Sequence, residues 1–152
     1  MYAAAAGIAG TGFQIADIDD VWPRIVERAR RCRSDQVVLD NACARCHPEG
    51  DAVCLQGPDG VVIMSAHGHA PGFVVADVLL AVSNCRAGAF RRQEQAMVAI
   101  AQDLGASTLS FRTDRRGWAR MLGPAWREQN GTFSRTIPTP HDAHHCDNER
   151  ST

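Results

Sequence analysis

The segment Phe73-Val-Val-Ala-Asp-Val-Leu-Leu-Ala-Val82 limits the possible folds more than any other part of the chain. It is rich in β-branched residues and is the most strand-like stretch of the sequence, so the fold has to give it a place in a sheet. Asp77 interrupts it, and it is far shorter than the roughly 20 apolar residues a bilayer-spanning helix needs. On both sides the pattern alternates between helix and strand signals.

Before it, Gly12–Ala16 reads as a short strand, and Asp17, Asp19 or Asp20 can cap the helix that follows. Trp22, Ile25, Val26 and Ala29 form that helix's apolar stripe, while Arg24, Arg28, Arg31 and Arg33 stay off it as a solvated face. Ser34 offers a second cap for a helix carrying Leu39, Ala42, Cys43 and Cys46, stopped at His47-Pro48-Glu49-Gly50. Ala52–Gln56 and Val61–Ser65 flank the turn Gly57-Pro58-Asp59-Gly60 as a hairpin, and His67–Gly72 reads as a loop.

After Val82, Ser83–Ala89 reads as a loop into a helix from about Phe90 to Leu104. Met97, Ile100, Ala101 and Leu104 are its stripe, and Gly105 is its stop. Thr108–Arg112 reads as a strand and Arg115–Leu122 as a short helix; Trp126–Gln129 and Thr132–Ile137 pair across Asn130-Gly131. Hairpins beside helix–strand alternation imply a mixed sheet, so the fold class is α+β and not doubly wound. The expected organisation is one domain over residues 1–137, with a loose His-rich tail over 138–152.

Charge removes several functions. The net charge is −1, which leaves no basic field to hold nucleic acid or an anionic membrane. All 16 basic residues are arginine, so a lysine Schiff base is excluded, and Tyr2 is the one tyrosine. The Ala/Gly-rich stretch Met1–Phe13 lacks a positive n-region, so the six cysteines are expected to be reduced thiols in a cytoplasm.

Three clusters carry candidate chemistry. Cys43-Ala-Arg-Cys-His47 has the CxxCH form of c-type haem attachment, but both thiols continue the apolar face of Leu39 and Ala42, which favours core packing and no haem. Cys43, Cys46, His47 and Cys54 are also a possible zinc set, though their spacing does not make two well-separated pairs, and His141, His144, His145 and Cys146 lie on the tail; no metal is expected. Arg112, Arg115, Arg116 and Arg120 surround Trp118, an arrangement able to meet phosphate or stack on a base, or to remain a solvated helix face.

The run Phe73–Val82, the loop Ser83-Asn-Cys-Arg-Ala-Gly-Ala89, the helix ending Ala101–Ala106, Thr108–Arg112 and Arg115–Arg120 together resemble the GNAT superfamily of N-acyltransferases. Trp22-Pro23 beside the first helix and Arg116-Gly117-Trp118 after the fifth strand resemble more narrowly the small GNAT-like proteins of phages and prophages. The resemblance covers roughly Phe13–Ile137 and implies a mixed twisted sheet with helices on both faces. It also implies two splayed central strands that hold the pantetheine arm of acetyl-CoA or another acyl-CoA, with a glycine loop cradling the pyrophosphate.

Carried over by position, the cofactor-binding residues are Ser83, Asn84, Arg86, Gly88, Ala89, Arg91 and Arg92. The family loop runs Gln/Arg-x-x-Gly-x-Gly/Ala; with Gly88 as the first glycine, Cys85 takes the Gln/Arg position and Phe90 the second small one. Asp77 is the candidate base and Cys85 a candidate thiol donor where the family uses tyrosine. The resemblance implies an N-acyltransferase, active or catalytically degenerate, acting on a small-molecule or protein amine in a bacterial cytoplasm. The alternative is a non-catalytic module working with virion proteins.

Overall fold

A computed structural model describes residues 11–31, 35–47, 49–70, 73–83, 87–113 and 117–138. In chain order the elements are β1 (Gln14–Ile15), α1 (Ile18–Arg31), α2 (Gln36–Arg45), β2 (Ala52–Gly57), β3 (Gly60–Ala70) and β4 (Phe73–Ser83). They continue with α3 (Ala89–Asp103), β5 (Thr108–Arg112), α4 (Trp118–Leu122), β6 (Arg127–Gln129) and β7 (Thr132–Thr136). The strands form one seven-stranded sheet in the order β1-β2-β3-β4-β5-β7-β6. Neighbours are antiparallel except β4 and β5, which run parallel because α3 carries the chain back between them. The expected α+β class and mixed sheet are therefore present.

Each sheet face has its own core. On one, Met97, Ile100 and Ala101 of α3 pack with Met64, Ala76, Leu109 and Phe133. On the other, Val21, Ile25 and Ala29 of α1 and Leu39 and Ala42 of α2 cover Cys54, Ile63 and Leu80. Ile25 and Ile63 are both 0% exposed, and burying side chains of this size contributes roughly 1.5–3 kcal/mol apiece. Among the described residues no helix is long and apolar enough to cross a membrane.

Several local expectations shift. The buried stripe of α1 is Ile18, Val21, Ile25 and Ala29, while Trp22 and Val26 are only half-buried: two residues of the expected face roll outward. Asp35 caps α2, its carboxylate accepting from the Val37 N–H at 2.9 Å; Ser34 lies outside the described residues. Residues 67–70, read from sequence as loop, continue β3. His67, Gly68 and Ala70 pair with Val75, Val74 and Phe73, and ladder hydrogen bonds from β4 outweigh the low strand preference of that stretch. The turn across Asn130 and Gly131 has positive φ at both residues, 51° and 80°, the geometry a two-residue hairpin with right-handed twist requires.

Candidate functional site

The parallel pairing of β4 with β5 is short. It runs from Val75↔Thr108 to Val78↔Phe111, whereas β4 continues to Ser83. The pairing stops because β5 itself ends at Arg112, one residue beyond Phe111, and just past that point β4 carries an extra residue. Against β3, Ile63 pairs with Leu80 and Met64 with Val78, so Leu79 is a bulge. A bulge bends its strand and increases local twist, and here it lies at the point where β4 leaves β5. The last residues of β4 therefore have no β5 partner, which leaves a notch, or fork, in the sheet beside the β4–α3 connection.

Asp77 sits at the closed end of this fork, one register position before the last β4–β5 pair and opposite Ser110. Alternation places Ala76 and Val78 on the α3 face and turns Asp77 to the face that α1 and α2 cover only in part. The Ser110 hydroxyl donates to Asp77 Oδ1. Asp77 Oδ2 lies 3.7 Å from His67 Nε2, which is also 3.7 Å from Asp51 Oδ2. His67 Nε2 stands 3.0 Å from both Ser65 Oγ and an Arg45 terminal nitrogen.

Arg45, from the last turn of α2, anchors the cluster. It donates twice to Asp51 at 2.7 Å and once to Ser65 Oγ at 3.0 Å. Those bonds hold the Asp51 carboxyl below the usual carboxylate range and push the Arg45 guanidinium higher still. Asp77 keeps a side chain 34% exposed. It is thus a carboxylate fixed on one oxygen by a hydroxyl, flanked by an imidazole and open to solvent. Such a group can take a proton from a nucleophile arriving on that face. Sequence reasoning found Asp77 and missed Arg45, Asp51, Ser65, His67 and Ser110.

The expected cofactor residues are only partly brought together. Asn84, Cys85 and Arg86 lie outside the described residues. Ser83 is the last residue of β4, Gly88 is the N-cap of α3 with φ of 75°, and Ala89 is buried at the first helical position. Arg91 is exposed. Arg92 is engaged: it grips Asp59 with two bonds of 2.8 Å and donates to the Ala87 carbonyl at 3.0 Å.

Aromatic rings bridge the fork on the α3 face. Phe90 packs on Trp118 at a centroid distance of 5.5 Å, and Trp118 lies edge-on to Phe111 at 5.4 Å. The chain of rings therefore runs from the start of α3, through α4, to the last β5 residue paired with β4. Trp118 is turned inward, away from the role of a base-stacking platform; Arg112 and Arg120 are exposed, and Arg115 and Arg116 lie outside the described residues.

The cysteines of the CxxCH string pack as small apolar groups. Cys43 and Cys46 are half-buried against the α1/α2 core, Cys54 is buried within it, and all three are free thiols. Burial pushes the Cys46 thiol up to about 12 and the Cys54 thiol up to about 11, so both are unreactive protonated thiols at neutral pH. Among the described residues no three His, Cys, Asp or Glu side chains are grouped to hold a metal; His141, His144, His145 and Cys146 lie outside them. Comparison of the sequence with protein-family models and with curated proteins finds no match.

Proposed function

We propose that the chain is a GNAT-like, acyl-CoA-dependent N-acyltransferase of phage or prophage origin, acting in the bacterial cytoplasm on a small-molecule or protein amine. The observation that carries this reading is the fork itself: a bulged β4 that runs on past the end of its short parallel neighbour β5 beyond Val78 and Phe111, with Asp77 at the closed end. Unpaired strand edge suits the amide-rich pantetheine arm, and the Gly88 turn at the start of α3 suits phosphate. On this reading Ser83, Gly88, Ala89 and Arg91 are the described residues that hold the cofactor. Bound there, an acyl-CoA supplies a thioester: the amine's N–C bond forms as C–S breaks, and the thiolate leaves.

Asp77 accepts the proton of the attacking nitrogen, oriented by the Ser110 hydroxyl. The stretch from Arg112 to Leu122 contains no tyrosine to protonate the departing sulfur. A thiol of pKa about 8.5 leaves tolerably as thiolate near neutral pH, so its absence slows the reaction without forbidding it. Titration calorimetry with acetyl-CoA tests the reading. Saturable heat, abolished by Gly88→Glu in protein that keeps its circular dichroism spectrum, supports it; Asp77→Asn should bind acetyl-CoA normally and transfer acyl groups at least about 100-fold more slowly.

A second reading has its own support. Arg92 is held by Asp59, and the Phe90–Trp118 contact fills space next to the fork. Both favour a GNAT-like module that has given up catalysis for virion assembly or an adaptor role. No heat at millimolar acetyl-CoA, in wild type and in Phe90→Ala alike, would leave this reading standing.

A further inference from the structure

On the opposite face from the aromatic rings, a cavity of about 200 Å³ lies between α1 and the β2–β3 turn, reaching the end of β4. Its floor is apolar, made by Ile25, Val61 and Val82, and its rim carries Arg24 and Arg28, one helical turn apart. The Gln56 carboxamide, with its oxygen toward the guanidinium, accepts from both Arg24 terminal nitrogens at 2.7 and 3.1 Å. That bond fixes Arg24 without cancelling its charge. Arg28 is half-buried and, among the described residues, makes no ion pair.

Two carboxylates beside the cavity are committed elsewhere. Glu27 pairs with Arg31 at 2.8 Å, and Asp59 of the adjoining turn gives both oxygens to Arg92. The cavity therefore combines two uncancelled guanidinium charges with a greasy floor. We infer that it binds a small organic carboxylate carrying a short unbranched apolar chain. The carboxylate meets the planar donor forks of Arg24 and Arg28, which match its two oxygens, and the chain covers Ile25, Val61 and Val82. Hexanoate, whose short chain can lie on the floor while its carboxylate stays at the rim, is the natural probe. The cavity is separate from Asp77, shares Ser83 at its edge with the proposed cofactor residues, and does not depend on the acyltransfer reading.

The test is an amide NMR titration of the full chain with hexanoate, hexanol and inorganic phosphate. Hexanoate should saturate below about 10 mM, with shifts centred on Arg24, Arg28 and Gln56. Arg28→Gln, a surface substitution, should weaken it about tenfold, and raised salt should weaken it as well. Hexanol binding as tightly as hexanoate would remove the role of the arginines and overturn the proposal. So would phosphate binding as tightly, since it has nothing to place on the floor, or a lack of saturation by hexanoate.

Discussion

Replacing Phe90 with alanine should move stability and cofactor affinity in opposite directions. Phe90 is the second residue of α3, where alanine is an excellent helix former, so the substitution isolates the ring. The ring is half-buried and touches Trp118 at 5.5 Å. A fully buried Phe→Ala change costs about 3–5 kcal/mol, and an aromatic contact accounts for about 0.5–1.5 kcal/mol of such a loss. For a half-buried ring the expected cost is about 2 kcal/mol, a Tm drop of about 4–8 °C in a domain of this size. Yet the same ring must move if a pantetheine arm is to enter the fork from the α3 side. Removing a displacement cost of about 1.4 kcal/mol tightens acetyl-CoA about tenfold. Thermal melts and calorimetry on one preparation read both quantities. A folded Phe90→Ala protein with unchanged or weaker acetyl-CoA affinity would refute the idea that these rings stand in the cofactor's path.

Other substitutions test the frame around the site. Gly60 has φ of 151°, and a Cβ there would lie 1.9 Å from the Val82 carbonyl oxygen; Gly60→Ala should cost at least about 2 kcal/mol by urea denaturation, because neither backbone can yield without breaking the β3–β4 register. Asp35→Ala removes the α2 cap and should cost about 1 kcal/mol in the same assay. Because burial raises the Cys54 thiol to about 11 and the Cys46 thiol to about 12, the folded protein keeps protons that the unfolded chain releases above about pH 8.5. Stability should be flat with respect to these groups below that pH and fall as pH rises toward 11; Cys54→Ala should flatten the slope in urea melts at stepped alkaline pH.

Much of the scaffold is legible because its signals are local. Gly105 ends α3, Asn130-Gly131 makes the last hairpin and Thr108–Arg112 is a strand, each set by a few adjacent residues. The polar cluster is another matter. His67 is placed by ladder bonds to Val75, and residues 67–70 next to Pro71-Gly72 carry loop chemistry locally. Arg45 and Asp51 meet because the chain turns back between α2 and β2, a contact no periodicity encodes. Ser110 was within reach: alternation along Thr108–Arg112 sets it opposite the apolar Leu109 and Phe111. Asp77 stood out because a lone carboxylate in an apolar strand has few reasons to be there.

The bulge at Leu79 joins the fold to the site. In a regular strand, Asp77 and Leu80, three residues apart, face opposite sides of the sheet. Leu80 nevertheless packs with Ile25 and Leu39 on the α1/α2 face, the face to which Asp77 also turns. The extra residue reconciles these demands: before it, β4 keeps in register with β5 and presents Asp77 beside Ser110; after it, β4 gives Leu80 to the core under α1 and runs on past the end of β5. The sequence carries a trace of this in Val78-Leu79-Leu80, where apolar residues follow one another and alternation fails. The same irregularity that lets the strand serve a core on both faces lies two residues from the only ionisable group the strand contains.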